Sequence, residues 1–168
     1  MRNQLTYEEA HRLMEYNPET GVLTRKVSLV YSTPVGSEAG SLHNISGYIG
    51  VSVNGIRYQS HRVIWLMMTG KWPKSTIDHI DCDKTNNRWS NLREASVAEN
   101  NQNKTLICNN SSGLRGVSWY KKSGKWKAQI GVNKRMIFLG YFEDKFEAQE
   151  AYLKAKREMH PFFASTLK

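Results

Sequence analysis

The stretch Ile77-Asp78-His79-Ile80-Asp81, together with Asn91-Leu92-Arg93 and Asn100, decides what this chain is expected to form. The carboxylate of Asp78 and the side-chain oxygen of Asn100 are hard ligands that suit Mg²⁺ or Mn²⁺. On a strand, His79 points to the side opposite Asp78, where it is placed to act as a base rather than as a ligand. This pattern predicts a compact metal site able to cleave a phosphodiester.

The segments around this stretch predict the order strand, loop, helix. Residues Ile77–Ile80 form a short apolar strand, and Asp81–Asn91 a polar loop. The capping box Ser96-Val97-Ala98-Glu99 then opens a helix that carries Asn100. The second ligand is open to reassignment, because two further asparagines lie close by: Asn101 and Asn103.

Length, cysteine content and hydropathy narrow the class of protein. The chain has 168 residues, enough for one medium domain or two small ones. No segment approaches the roughly 20 apolar residues that span a bilayer. The two cysteines, Cys82 and Cys108, supply neither a disulfide framework nor a four-cysteine zinc site. We expect no membrane association and a reducing, cytoplasmic setting, which is the host cytoplasm if the chain is phage-encoded.

The net charge of +9 increases toward the C-terminus. Residues 1–50 carry a net charge of −1, residues 51–104 of +3 and residues 105–168 of +7. A polyanion, above all nucleic acid, is the natural partner of such a distribution. A basic protein that is merely soluble is the alternative.

Several helices and strands are predicted before the histidine segment. Thr6-Tyr7-Glu8-Glu9 is a capping box for a short helix, which has Ala10, Leu13 and Met14 on one face. Val22–Arg25 is a strand, and residues 28–46 are expected to be loop. The Asn54-Gly55 pair predicts a hairpin. Ser60 is expected to cap a helix that runs to Met68 and ends at Gly70.

The C-terminal third predicts a small α+β module. A polar stretch at residues 106–113 is the linker candidate. Three strands follow, and then a helix capped by Asp144 and stopped by Pro161. In the middle strand, strict alternation puts Trp126, Ala128 and Ile130 in the core. The residues that alternate with them in the same strand then lie on the free face of the sheet: Lys125, Lys127 and Gln129.

Residues 61–103 resemble the HNH endonucleases with a ββα-metal fold, in the phage-type homing variety that has asparagine in place of the third histidine. The matching positions are Asp78, His79, Asn91 and Asn100. The resemblance implies that His79 is the general base and that Asp78 and Asn100 hold one Mg²⁺ or Mn²⁺. It implies that Asn91 braces the loop, and that the products carry 5′-phosphate and 3′-hydroxyl ends.

One position departs from the pattern of that family. Where the family often has Asp-Gly-Asp, this chain has Asp81-Cys82-Asp83. Because a side chain disfavours the left-handed conformation, a left-handed turn is not expected at Cys82.

Residues 115–160 resemble an AP2 DNA-binding domain, in the order found in HNH–AP2 homing endonucleases. The resemblance implies that the sheet lies in the major groove of duplex DNA. Arg115 matches a DNA-contacting arginine of that family, whereas Met136 and Phe138 stand where plant members carry arginine or tryptophan. Trp119 is expected in the core. The predicted DNA-binding residues are Arg115, Ser118, Tyr120, Lys121, Lys122, Lys125, Lys127 and Gln129.

The whole chain is therefore predicted to be an α+β protein with four segments. These are an N-terminal sheet and helix region (1–58) that contacts DNA, a ββα-metal HNH core (59–105), a linker (106–113) and an AP2-like domain (114–168), in which a three-stranded antiparallel sheet packs on one helix. The expected function is metal-dependent cleavage of double-stranded DNA by a monomer or weak dimer. A DNA-binding regulator with a vestigial nuclease core and an RNA-binding accessory protein are the alternatives.

Overall fold

A computed structural model describes residues 4–28, 33–103 and 112–163. The chain divides into two compact units, Met1–Val97 and Ala98–Lys168. Most of the predicted linker, residues 106–111, lies outside the described residues, as does Cys108. Within the described ranges no helix is both long and apolar enough to span a bilayer.

Unit 1 begins with a short helix that leads directly into a strand. Helix α1 spans Tyr7–Leu13, and the Thr6 hydroxyl accepts a hydrogen bond from the Glu9 amide at 3.2 Å, as the capping box predicted. Strand β1 (Met14–Asn17) pairs antiparallel with β2 (Val22–Arg25). Met14, expected on the helix, is therefore the first residue of a strand.

A three-stranded antiparallel sheet follows, in the order β3-β4-β5. Strands β4 (Ile49–Val53) and β5 (Ile56–Gln59) form the predicted hairpin. Asn54 and Gly55 both have positive φ, 50° and 74°, which is the geometry that a two-residue hairpin turn favours. Among its described residues, the segment predicted as loop contains one short strand, β3 (Ser41–Leu42), paired with β4.

Helix α2 (Ser60–Thr69) supplies the centre of the unit 1 core, where Val63 and Ile64 have no exposed surface. Gly70 ends the helix in the left-handed conformation, and its amide donates to the Leu66 carbonyl at 2.9 Å, as predicted. The N-cap prediction is wrong, because Gln59 is the N-cap and Ser60 is the first helical residue.

A two-stranded hairpin carries the histidine segment. Strand β6 (Thr76–His79) pairs antiparallel with β7 (Leu92–Ala95), so that Asp78 lies opposite Arg93 and His79 opposite Leu92. The connecting loop ends in a 3-10 turn at Trp89–Asn91. Helix α3 (Val97–Asn103) follows. The strand-loop-helix order is present, with one strand more than the sequence predicted.

Residues 112–163 of unit 2 contain the predicted three strands and one helix. Strands β8 (Val117–Tyr120), β9 (Lys125–Val132) and β10 (Arg135–Phe142) form an antiparallel sheet in the order β10-β9-β8. Helix α4 (Lys145–Met159) packs on it. The Asp144 carboxylate accepts from the amides of Phe146 and Glu147, which confirms the predicted cap.

One face of this sheet and one face of α4 make the core of unit 2. Ala128 and Ile130 are buried on the predicted side of β9, against Ala148 and Tyr152 of α4. Gly116 allows the close approach: at a φ of 74°, a Cβ there would lie 2.2 Å from the Tyr152 ring. Trp119 was expected in this core but remains 46% exposed, against the edge of Trp126.

Candidate active site

Asp78 forms a buried ion pair with its cross-strand neighbour. The Arg93 guanidinium donates from Nε and Nη2 to Asp78 Oδ2, at 2.9 and 2.7 Å. The carboxylate is almost fully buried and the guanidinium about three-quarters buried. The antiparallel register of β6 and β7 produces this pair, since Asp78 and Arg93 are directly opposed. The position of the Asp78 carboxylate is therefore fixed by a charge-assisted contact.

His79 is held by a different partner. Its Nε2 lies 3.0 Å from the side-chain oxygen of Asn87, and the contact is buried. An amide oxygen only accepts hydrogen bonds, so Nε2 carries the proton. The imidazole lone pair of this tautomer resides on Nδ1. This tautomer is the one that a base acting through Nδ1 requires.

Two aromatic rings contact His79. The His61 ring packs edge-on at 5.0 Å between centroids, and the Tyr48 ring lies 5.9 Å away. Tyr48 also contacts His61, at 5.0 Å, and Lys84 Nζ sits 4.8 Å above the Tyr48 ring. Tyr48, His61 and His79 therefore form one cluster of mutually contacting rings, which restricts rotation of the His79 ring.

His61 is a buried, neutral imidazole. Burial, with smaller contributions from His79 and Arg62, lowers the pKa of His61 to about 3. Its Nδ1 has no hydrogen-bond partner among the described residues. The His61 ring packs against His79, the candidate base.

Asn91 ties together the loop between β6 and β7. Its side-chain oxygen accepts from the Asp81 amide at 3.0 Å. Its side-chain nitrogen donates to Asp81 Oδ1 at 2.9 Å and to the Asn86 carbonyl at 2.7 Å. Asn86 precedes Asn87, the partner of His79. Asn91 is therefore linked to the His79 ring through two loop residues, Asn86 and Asn87.

The turn after β6 is left-handed at a residue with a side chain. Cys82 has a φ of 65°, contrary to the expectation that a side chain there disfavours this conformation. Neighbouring bonds hold the turn: the Cys82 amide donates to the His79 carbonyl at 2.9 Å, and the Asp83 amide to Asp81 Oδ1 at 2.9 Å. A left-handed residue other than glycine costs about 1–2 kcal/mol, which these contacts offset.

Asn100 belongs to unit 2, whereas Asp78, His79 and Asn91 belong to unit 1. It lies half-buried on α3. Its neighbours Asn101 and Asn103 are exposed and buried, respectively. The unit 1 members of the predicted set are thus brought onto one hairpin, and the role of Asn100 stays a prediction.

The predicted DNA-contacting residues line unit 2 from β8 to β9. Arg115 lies two residues before the start of β8, and the turn residues Lys121 and Lys122 are exposed. Directly opposed residues of paired strands point to the same face of the sheet. The other predicted residues therefore share the face that α4 leaves uncovered: Ser118, Tyr120, Lys125, Lys127 and Gln129. Lys125 is paired with Glu143 at 2.7 Å.

The donor chemistry of the predicted ligands fits a hard divalent cation. One carboxylate and one amide oxygen suit Mg²⁺, which keeps several waters and takes few protein ligands. Within the described ranges, no three His, Cys, Asp or Glu side chains are grouped to hold a metal ion. The bond from Arg93 offsets part of the charge of Asp78, which weakens cation affinity at that carboxylate.

Three residues of the site were missed by sequence reasoning: Asn87, Tyr48 and Arg93. Asn87 lies within the predicted polar loop Asp81–Asn91, but its side chain reaches His79 only through the loop geometry. The Tyr16 hydroxyl, donating to the Asn87 carbonyl at 2.8 Å, also holds that loop. Burial raises the pKa of Tyr16 to about 12, so the hydroxyl keeps its proton.

Comparison with known proteins identifies the hairpin segment. A family model for HNH endonucleases matches residues 58–102, which include β6, β7 and the loop between them. Protein 3.8 of Escherichia phage T7 is 34% identical over 106 residues, covering 62% of this chain and 86% of the phage protein. The chain belongs to the family of phage T7 protein 3.8 and contains an HNH endonuclease domain.

A second relative carries the same domain name. It is an uncharacterized HNH endonuclease, L560, of Acanthamoeba polyphaga mimivirus, 33% identical over 124 residues. The match covers 63% of this chain and 64% of the mimivirus protein, so about a third of that relative lies outside it. No solved structure matches the chain. The HNH resemblance predicted from the sequence is therefore confirmed at the level of the domain.

Proposed function

We propose that this chain is a metal-dependent DNA endonuclease of the site-specific homing type, with His79 as its general base. The observation that carries the proposal is the hydrogen bond from His79 Nε2 to the Asn87 side chain, since it directs the lone pair to Nδ1. The HNH domain match over residues 58–102 supports the class of reaction. Cleavage is hydrolysis of a phosphodiester bond in double-stranded DNA.

In this proposal each residue has one task. His79 Nδ1 takes a proton from the attacking water, while Asn87 keeps the other ring nitrogen protonated. Asp78 and Asn100 are the residues that would hold Mg²⁺ or Mn²⁺. A bound cation supplies stabilisation of the charge on the phosphate and on the leaving 3′ oxygen. Asn91 braces the loop that presents Asn87.

The DNA duplex is held by the basic C-terminal region, where residues 105–168 carry a net charge of +7. Lysines on the free sheet face and in the turn at Lys121 and Lys122 contact phosphates, which makes binding weaken as salt rises. One active site per chain nicks a single strand, and a double-strand cut needs a dimer. The T7 relative favours the cytoplasm of a bacterial host as the setting.

Plasmid nicking tests this proposal directly. The wild type should convert supercoiled plasmid to open circle only with Mg²⁺ or Mn²⁺. His79→Ala should abolish nicking and leave DNA binding unchanged. The matched control is His11→Ala, because His11 bonds the Met67 carbonyl toward the far end of α2 from His61. Nicking by His79→Ala at the wild-type rate would refute the assignment.

One observation favours a second function, a DNA-binding regulator with a vestigial nuclease core. The Arg93 guanidinium occupies Asp78 Oδ2 at 2.7 Å, where it competes with a cation. A regulator would bind DNA tightly, with strong salt dependence. It would not cleave the DNA in the presence of any divalent ion. The same plasmid experiment separates the two functions, because only the endonuclease yields metal-dependent nicks.

A further inference from the structure

The free face of the unit 2 sheet carries aromatic side chains among its basic ones. Cross-strand pairing fixes its membership, since directly opposed residues point to the same side. Tyr141 lies opposite Lys127, which lies opposite Ser118. Phe138 lies opposite Gln129, and Tyr120 opposite Lys125. The face is therefore a mixed surface of rings, lysines and short polar groups.

A β-bulge in β10 puts Phe138 and Tyr141 on the same face. The register shifts between Phe138 and Gly140, so two residues of β10 oppose Ala128 alone. Regular alternation from Phe138 through Gly140 would have turned Tyr141 into the core. Gly140 adopts a φ of 141°, a conformation that a side chain disfavours. The strand is thus shaped to present Tyr141 outward.

The outward rings touch one another and remain open to solvent. The Tyr120 and Tyr141 rings stack at 5.1 Å, and the Phe138 and Tyr141 rings lie 4.9 Å apart. Phe138 is 55% and Tyr141 44% exposed. We call Tyr120, Tyr141 and Phe138 the aromatic strip. Met136, 63% exposed, extends it toward the β9-β10 turn.

A surface of this composition is suited to binding bases that are unpaired and no longer stacked within a duplex. The edges of paired bases are recognised in the grooves by hydrogen-bonding groups, of which the aromatic strip offers only the two tyrosine hydroxyls. The faces of bases are covered by their neighbours in a duplex, and become available to aromatic side chains only when the bases are unpaired. The lysines beside the strip supply the positive charge that a DNA backbone requires.

We propose that the aromatic strip binds unpaired DNA bases by stacking, with Lys127 contacting the adjoining backbone. The inference rests on the proposed function in taking DNA as the partner. It adds that the chain prefers DNA that contains an opened or single-stranded segment over a fully paired duplex. The strip then selects the conformation of the DNA, while the lysines bind both forms.

Fluorescence anisotropy of the full chain in EDTA tests this, because chelation prevents cleavage during the measurement. The probes are a short labelled duplex, the same duplex with a central run of mismatches, and a single-stranded RNA that matches the unpaired segment. We expect the mismatched duplex to bind about 10-fold more tightly than the paired one. Equal affinity for the two duplexes, or tighter binding of the RNA, would overturn the proposal.

Substitutions connect the preference to the strip. Phe138→Ala and Tyr141→Ala should each weaken binding to the mismatched duplex by about 10-fold and leave the paired duplex within about twofold. Phe138→Leu keeps an apolar side chain without the ring and should behave as Phe138→Ala does. The control is Phe146→Ala, since Phe146 is equally exposed, at 61%, but lies on α4.

The outcomes separate this inference from the proposed function. If the wild type shows metal-dependent nicking but binds both duplexes equally, the aromatic strip proposal is wrong. The proposed endonuclease function is unaffected by that result. Nicking by His79→Ala would remove the assigned base whatever the binding preference. A variant that weakens both duplexes equally would show that the ring acts as part of the general DNA surface, against the proposal.

Discussion

Replacing Asn91 is the sharpest test of how the loop beside His79 is held. Asn91→Ala removes three hydrogen bonds, one of them to the Asp81 carboxylate. A neutral bond is worth about 1 kcal/mol and a bond to a charged group about 1.5–3 kcal/mol. Since Asp81 is half-buried, we expect the free energy of unfolding to fall by about 3 kcal/mol. Urea denaturation followed by circular dichroism measures this.

Asn91→Asp distinguishes bracing by hydrogen bonds from simple packing. The carboxylate can still accept from the Asp81 amide, but it loses both donors and faces Asp81 Oδ1 across a distance that is 2.9 Å in the wild type. We expect the Asn91→Asp variant to have a lower free energy of unfolding than Asn91→Ala at neutral pH. The difference in stability between the two variants should decrease at acidic pH, where a proton shared between the two carboxyl groups restores a donor.

Nicking should fall in both variants, because the braced loop presents Asn87 to His79. The control is Asn44→Ala, at an exposed loop position, which should change stability by less than about 0.5 kcal/mol. A loss below about 1 kcal/mol for Asn91→Ala, or an Asn91→Asp variant as stable as the alanine variant, would refute this reasoning.

Three further predictions concern stability. From pH 7 to pH 5, the wild type should lose about 2 kcal/mol more than His61→Gln, because a histidine with a folded pKa of about 3 takes up its proton only on unfolding; urea titrations at both pH values measure this. Arg93→Met should cost about 3 kcal/mol by leaving the Asp78 carboxylate without its guanidinium, and adding Asp78→Asn should recover part of the loss in a double-mutant cycle. Gly116→Ala should destabilise unit 2 by about 3 kcal/mol or more, whereas Gly124→Ala, with a similar φ of 64° but open space around it, should lose about 1 kcal/mol in the same assay.

Local signals in the sequence predicted the elements that local chemistry controls. The Thr6 and Asp144 caps, the Asn54-Gly55 turn and the Gly70 helix end depend on residues within a few positions of one another. The alternation of β9 likewise identified its buried face, with Ala128 and Ile130 inside. These features follow from backbone geometry and amphipathicity alone.

The missed elements depend on pairing between distant segments. Strand β1 starts at the residue after α1, and only its pairing with β2 makes Met14 extended. Strand β7 carries two charged residues in four, and only its register with β6 brings Arg93 to Asp78. Ser60 failed as a cap because Gln59 takes the N-cap position. No local pattern encodes these partners.

Sequence reasoning grouped the central residues of the candidate site but not their supports. It predicted a strand with Asp78 and His79 and a polar loop ending at Asn91, and all three lie in the β6-β7 hairpin, whose second strand was not predicted. The contacts that orient His79 come from Asn87, His61 and Tyr48, which are brought together by folding over more than thirty sequence positions. Side-chain orientation of this kind follows from tertiary packing.

The bulge in β10 makes that strand tolerant of a change in length at one place. Because Leu139 and Gly140 together oppose Ala128, removing Gly140 would leave a regular strand in which Tyr141 still points out and Phe142 still points in. Deleting Ile137 instead would move the side chains on one side of the deletion to the opposite face of the sheet. A homologue one residue shorter at Leu139 or Gly140 is thus compatible with the same binding face, whereas one shorter by Ile137 is not.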